Sequence, residues 1–436
     1  DDQSIYGFRG AAPDILLDFE KVYPNCKKIF LKRNYRTTKN ILTSALSVID
    51  SNKKRYKKEL EAVNGWGTFP VTFETEDFEE EARIIASRIL RMKDEGEKYS
   101  DIAVVYRTNL QSRAVIDAFM DFNVPFVTLD GIASIYNHWI FKDIMAYMKL
   151  SIGINTNKDF IRIMNKPKRY ISRDAMEMAD RIEGSFLDNL ITYCGLNRLQ
   201  VNAVNELSKD VSRLSDMRPH NAVKYIRNVI GYDEYIMEYA AGKRINSKGL
   251  FETIEEIESS AKGSDSITGF LQHIDQVSEQ IGKKDHSNLC EDQVKLMTMH
   301  RAKGLEFGTV FICGSVEGLS PYIRNDSSED KDIEEERRLF YVAMTRAKKQ
   351  LYISIPKRRY GKSVRISRFV EELRKGIDYG SQVYIGQKVF HKIYFSGIVS
   401  EIIGKGDEER IRVDFGGNIR ELNLKTCIKN EIIRFL

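Results

Sequence analysis

Metal-binding and redox signatures are sparse in this sequence. Its five cysteines, Cys26, Cys194, Cys290, Cys313 and Cys427, contain no C-x-x-C pair and are joined by no cluster of histidines. That pattern argues against a zinc or iron–sulfur site, so no metal ligand is expected, and it fits a reducing compartment. There is no signal peptide and no run of 18 apolar residues, so a cytoplasmic protein with no membrane partner is expected. A phosphate loop of the form G-x-x-x-x-G-K-[ST] is also missing. Its nearest approach, Gly361-Lys362-Ser363, has Pro356 where the first glycine is required. No strand ends in the acidic pair that would hold magnesium. A chain lacking both should not hydrolyse ATP on its own. Charge is in little excess: a net +5 over 436 residues permits a nucleic-acid partner without demanding one.

What is present is organised around residues 294–314, VKLMTMHRAKGLEFGTVFICG. Two apolar strands, 294–298 and 309–313, flank a polar loop carrying His300, Arg301, Lys303, Gly304 and Glu306. Such a loop is expected at the carboxyl edge of a parallel sheet, where open α/β folds bind ligands. A second block, 334–355, reads EEERRLFYVAMTRAKKQLYISI. Leu339, Phe340, Ala343, Met344 and Ala347 recur at helical spacing, which predicts a helix over 332–348 with one buried stripe and a strand over 350–355. Glu335, Arg338 and Arg346 lie off that stripe, Arg346 near the helix end.

Three further segments carry chemistry-bearing residues. Residues 1–12, DDQSIYGFRGAA, place Tyr6, Phe8 and Arg9 together; two π faces and a cation support stacked bases of single-stranded DNA, or else sit half-buried in a surface loop. Residues 29–38, IFLKRNYRTT, present Tyr35 and Arg36 ahead of a helical pattern over 39–50. Residues 106–113, YRTNLQSR, follow the strand 102–106 and carry Arg107 and Asn109. The basic clusters at 53–58, 166–169 and 357–359 are either solvated faces or phosphate contacts.

These blocks resemble motifs III, IV, IVa, V and VI of superfamily 1 DNA helicases of the UvrD/PcrA/Rep family, with Phe8 where the family often has Trp. The resemblance implies an ATP-driven DNA helicase that translocates 3′ to 5′ on single-stranded DNA in repair or replication. Gln3, Arg36 and Arg346 would surround the γ-phosphate, Arg346 as an arginine finger. Tyr35 would stack on adenine, Glu306 would accept from the ribose, and Gly304 belongs to the same nucleotide-binding loop. Tyr6, Phe8, Arg9, Arg107, Asn109 and His300 would line the DNA track. Lys303 is either a phosphate contact or a solvated charge. ATP and Mg2+ are the implied cofactors, with the Mg2+ ligands outside this sequence. The family's phosphate loop and acidic pair precede motif III, so a truncation ahead of Asp1 is expected.

The implied fold is α/β: a RecA-like parallel-sheet motor domain with a helical insertion subdomain and a small C-terminal SH3/Tudor-like β-barrel. Residues 1–68 would be the remainder of a first motor domain, and 69–150 with 288–378 a second. Residues 151–287 turn helical and polar and form the insertion, in which KPKRYISRDA replaces the family's Gly-Ile-Gly stretch. Residues 379–436 alternate as short strands with Gly-containing turns. This tail would be either a cap or a contact for RNA polymerase, the implied protein partner. Single-strand/duplex junctions are the implied nucleic-acid substrate. Two alternatives share these motifs: a RecB/AddA-type helicase-nuclease, which lacks support because no nuclease carboxylate cluster follows, and a motor-dead DNA-binding protein.

Overall fold

The computed structural model describes residues 1–7, 10, 13–130, 135–154, 156–284, 292–322, 329–376, 383, 385–404, 408–429 and 432–435. Phe8, Arg9 and Cys290 lie outside the described residues. The chain divides into two compact units: Asp1–Gln111 with Ala118–Asp130 and Cys290–Leu436, and Ser112–Asp117 with Gly131–Leu289.

The first unit is built on a six-stranded sheet. Its strands are β1 (Val71–Thr75), β2 (Ile102–Tyr106), β3 (Phe126–Thr128), β4 (Val294–Thr298), β5 (Phe307–Ile312) and β6 (Ala347–Pro356), in the spatial order β1-β6-β5-β2-β4-β3. Every pairing is parallel. The central strands β2 (IAVVY) and β5 (FGTVFI) are buried along their whole length, the pattern of a parallel sheet covered on both faces. The sequence did not foresee β1. Its VTFET sequence alternates apolar with polar residues and is mostly half-buried, because it pairs on one side only.

One face is covered by the helices Lys39–Ile49, Glu329–Met344 and Arg368–Gly376, which share a core with the sheet through residues such as Ile41, Val48, Leu339, Phe340, Phe369 and Leu373. The helix Phe78–Asp94 follows β1. Asp77 caps it by accepting from the Glu80 amide at 2.8 Å, and the acidic residues 79–81 with Arg91 and Lys93 match the helix dipole at either end. In the tail, β7 (Lys388–His391), β8 (Phe395–Ile403), β9 (Arg410–Asp414), β10 (Ile419–Asn423) and β11 (Ile433–Phe435) form an antiparallel sheet in the order β10-β9-β8-β7-β11. Burial alternates along β7 and β9, with Val389, Ile411 and Val413 inward. The fifth strand falls beyond the turn pattern read from the sequence, after a short helix, Leu424–Lys429.

The second unit is helical, from Trp139–Ser151 through Ile267–Lys284. Its helices begin on side-chain caps: Ser172 accepts from the Ala175 amide, and Asn197 with Gln200 forms a reciprocal capping box. At its centre the fully buried Asp143 accepts from Lys166 Nζ at 2.8 Å and from the Tyr232 hydroxyl at 2.7 Å, and forms an ion pair with Arg162 Nε at 2.7 Å. Three polar partners compensate one buried carboxylate, and removing any of them exposes the cost of desolvating it.

Glu81 is the other buried acid with a consequence. It turns inward from its helix, accepts the Gly314 amide at 2.8 Å, and has its carboxyl pushed up by burial to about 7. The unfolded chain releases this proton near 4.5, so between those pH values the folded state binds more protons. The stability contributed by the neutral form is therefore complete below about pH 4.5 and is lost as pH rises through about 7. Glu81→Gln should flatten that loss and raise the melting temperature at pH 8, by at most about 3 kcal/mol of stability. Thermal melts of both proteins at pH 5 and pH 8 check this; parallel pH profiles would contradict it.

Candidate nucleotide and DNA sites

The connection between β4 and β5 determines where the functional side chains lie. Both strands run in the same direction, so a link of eight residues, 299–306, has to climb from the carboxyl end of one to the amino end of the other. The Met299 amide donates to the Tyr106 carbonyl at the carboxyl end of β2, whereas Thr309 pairs with Ile102 at its amino end. Eight residues reach at most about 26–29 Å, enough for a five-residue strand of about 17 Å. The expectation of one reactive loop at the carboxyl edge is thereby corrected. His300 sits at that edge, while Glu306 is delivered to the opposite one. Asp130 anchors the start, accepting from the Thr298 amide at 2.5 Å and hydroxyl at 2.9 Å. Gly304 takes φ +90°, a conformation that a side chain disfavours.

At the amino edge, Arg36, Glu306 and Arg346 converge. Arg36 Nε donates to Glu306 Oε2 at 2.8 Å, and Lys348 Nζ lies 3.8 Å from Glu306 Oε1. The Arg36 guanidinium holds the Glu306 carboxyl below its usual range. Arg346 is only 1% exposed. Its Nε donates to the Val342 carbonyl at 2.9 Å, one terminal nitrogen to the Leu305 carbonyl at 3.2 Å, and the other to the Thr345 hydroxyl at 3.1 Å. Burial first, and the like charge of Arg36 second, depress its pKa to about 10. Two guanidinium groups that repel each other at one sheet edge, with one exposed carboxylate between them, suit an anion carrying several negative oxygens.

The loop that presents Tyr35 is held by asparagines that the sequence reading passed over. Asn34 Oδ1 accepts from the amides of Arg36 and Thr37, both at 2.9 Å, and Asn64 Nδ2 donates to the carbonyls of Tyr35 and Arg36, both at 3.0 Å. The signal was available, because Asn ahead of a turn favours this local bonding. The result is a Tyr35 that is 68% exposed beside Arg36. The Thr38 amide donates to the Lys348 carbonyl at 3.2 Å, tying this loop to the start of β6.

At the carboxyl edge the amino-terminal segment meets the 299–306 loop. The Tyr6 hydroxyl donates to the His300 carbonyl at 3.3 Å, their rings lie 6.1 Å apart, and Lys303 Nζ donates to the Gln3 carbonyl at 2.9 Å while lying 5.1 Å from the Tyr6 ring. Lys303 is thus tied to the amino-terminal segment rather than simply solvated. Gln3 is exposed. Arg107 forms a forked ion pair with Glu336, Nε to Oε2 at 2.8 Å and a terminal nitrogen to Oε1 at 2.6 Å. Asn109 opens the short turn Asn109–Gln111 and is half-buried.

The basic clusters divide between interior and surface: Arg55, Lys58 and Lys166 pair with buried acids, whereas Lys168 and Lys357 form exposed pairs on a solvated face. Arg55 pairs with Asp2 at 3.0 Å and with Asp50, Lys58 with Asp1 and with Asp2 at 3.1 Å, Lys168 with Glu238 at 2.9 Å, and Lys357 with Glu76 at 2.9 Å. Among the described residues no group of three or more His, Cys, Asp and Glu side chains is placed to hold a metal ion, and no helix is long and apolar enough to cross a membrane.

A six-stranded parallel sheet with helices on its faces and a guanidinium pair at one edge fits a RecA-like motor domain. Residues 29–358 match the family model of the UvrD-like helicase C-terminal domain, and the chain belongs to that family. Similar proteins include the putative ATP-dependent DNA helicase YjcD of Bacillus subtilis, 34% identical across 86% of this chain and 49% of its own length. The ATP-dependent DNA helicase PcrA of Staphylococcus epidermidis is 32% identical across 95% and 63%, and that of Staphylococcus aureus 34% across 81% and 50%. The chain thus spans between about half and just under two-thirds of the length of these curated relatives.

The two guanidinium groups should differ sharply in structural weight. Arg346→Ala strands the Leu305 carbonyl, leaves the Val342 carbonyl to the Thr345 hydroxyl alone, and opens a cavity, a loss of about 3 kcal/mol. Arg36→Ala removes a largely exposed pair, a change within about 1 kcal/mol. Urea denaturation of both variants measures this, and equal losses would contradict the assignment of Arg346 to the core.

Proposed function

We propose that this chain is the C-terminal portion of an ATP-driven DNA helicase that translocates 3′ to 5′ on single-stranded DNA and opens duplex at single-strand/duplex junctions in repair or replication. The observation that carries this reading is the convergence of Arg36, Glu306 and Arg346 at one sheet edge beside the exposed ring of Tyr35. In this reading Tyr35 stacks on adenine and Glu306 accepts from the ribose. Gly304 lets the loop pass close to the nucleotide. Arg36 and Arg346 surround the γ-phosphate, and the Gln3 amide, which here lies beside the 299–306 loop through the bond of its carbonyl to Lys303, would join them. An anion there relieves the repulsion between the two guanidinium groups, and Arg346 neutralises charge that develops as the phosphoryl group transfers. ATP bound with Mg2+ supplies the transferable phosphoryl group. Tyr6, Arg107, Asn109 and His300 line the DNA track at the other edge, and Phe8 and Arg9 belong to the same proposed track, which grips sugar, phosphate and base faces without reading sequence.

The domain assignment belongs to the same proposal. Residues 1–68 complete a first motor domain, and 69–150 with 288–378 form the second. Residues 151–287 form the insertion, and 379–436 form a Tudor/SH3-like barrel with RNA polymerase as its partner. Cytoplasmic action follows from a DNA substrate. Holding no phosphate loop, residues 1–436 alone should not turn over ATP.

The test is made on the intact protein with Arg36→Ala, which spares the core, and Arg346→Lys, which keeps a donor for the buried carbonyls. Each should bind a fluorescent ATP analogue yet hydrolyse ATP at least about a thousandfold more slowly with single-stranded DNA present. Unchanged turnover in both would remove the guanidinium pair from catalysis.

A further inference from the structure

The helix Glu329–Met344 is the crossover from β5 to β6, so it runs from the carboxyl edge of the sheet back to the amino edge. Arg346, two residues past its end, belongs to the proposed phosphate site. Midway along it, three residues within one turn grip the proposed DNA track. Glu335 Oε1 accepts from the Gly7 amide at 2.8 Å, Arg338 Nε donates to the Ser4 carbonyl at 3.0 Å, and Glu336 holds Arg107. Eight residues, about 12 Å of helix, separate Glu336 from Met344, and Arg346 follows two residues later.

The Arg107–Glu336 pair has the geometry of a bracket. The Glu336 carboxylate takes the Nε edge of the guanidinium by a fork, the Tyr322 ring lies 5.4 Å from the guanidinium carbon, and the Tyr322 amide donates to Glu336 Oε2 at 2.9 Å. Side-chain exposure is 14% for Arg107 and 9% for Glu336. An arginine so held has lost its rotamer freedom before any ligand arrives, and a terminal nitrogen remains for a phosphate oxygen. We infer that Glu336 is a positioning residue for DNA-backbone binding: it fixes Arg107 for a phosphate of the single strand, and it does so from the helix that carries the proposed phosphate-sensing arginine. This rests on the reading of Arg107 as a DNA contact given above.

The experiment measures binding of a fluorescein-labelled oligothymidylate by the intact protein across a salt series, with the DNA-stimulated ATPase alongside. Glu336→Gln keeps the shape and an acceptor for Tyr322 but weakens the fork. It should lower affinity about tenfold and reduce the slope of log K against log salt by about one, the signature of one lost phosphate contact. The DNA concentration for half-maximal ATPase should rise by a similar factor, while kcat at saturating DNA stays within about twofold. Glu336→Asp, which keeps the charge on a shorter stem, should fall between. Arg107→Ala should reproduce the loss, and the double variant should add nothing to it. Glu336→Gln binding as tightly as the parent, or more tightly as the carboxylate's repulsion of DNA disappears, overturns the inference while leaving the reading of Arg107 intact if Arg107→Ala still weakens binding. Unchanged binding and slope in Arg107→Ala overturns that reading and the inference with it. Additive losses in the double variant also refute it.

Discussion

The buried guanidinium of Arg346 is the constraint on which the first unit depends. It closes the end of one helix on the Val342 carbonyl and reaches across to the Leu305 carbonyl, so the entry to β6 and the entry to β5 are fixed against each other. The adjoining backbone follows: the Phe307 amide donates to the Arg346 carbonyl at 2.9 Å. A cation can be buried in this way because carbonyl oxygens and a hydroxyl satisfy its donors, and its lowered pKa leaves it charged at neutral pH. Glu306 and Lys348 then emerge on either side of a fixed point, and Arg36 closes over them.

From that point the topology does the rest. Parallel strands force their connections to travel from edge to edge, and here two connections do so around the same strands: the 299–306 loop and the helix Glu329–Met344. One carries His300 at its start and Glu306 at its end, the other Glu336 midway along and Arg346 just past its end. Each therefore has one foot among the residues assigned to DNA and one among those assigned to nucleotide. Linkage between two sites requires elements that both can bias, and this arrangement provides two of them in covalent continuity.

Much of this was legible in the sequence because the signals were local. The continuous apolar run of β2, the helical spacing of Leu339, Phe340 and Ala343, and the alternation in β7 and β9 all record which side of an element is buried. The half-buried β1 was missed because an edge strand carries a weaker apolar record, and β11 because a short helix precedes it. The site residues were named by motif, but their environment was not legible. Nothing within the segment 106–113 points to Glu336, and nothing near Asn34 shows that its side chain shapes the loop that carries Tyr35. The inward pairing of Arg55, Lys58 and Lys166 was not legible for a related reason, since their acidic partners Asp1, Asp2 and Asp143 lie elsewhere along the chain. The climb of the 299–306 loop between edges follows from strand direction, which no single segment encodes.

Gly7 carries a consequence of another kind. A Cβ there would stand 2.3 Å from Glu335 Oε2, the partner carboxylate of its own amide. A lineage acquiring even alanine at position 7 displaces that carboxylate and frees the amide, whereas one that first shortens position 335 meets no clash. Because that carboxylate is the movable end of a flexible side chain, what a side chain at position 7 costs is chiefly the hydrogen bond between the two positions, which couples them through that one contact.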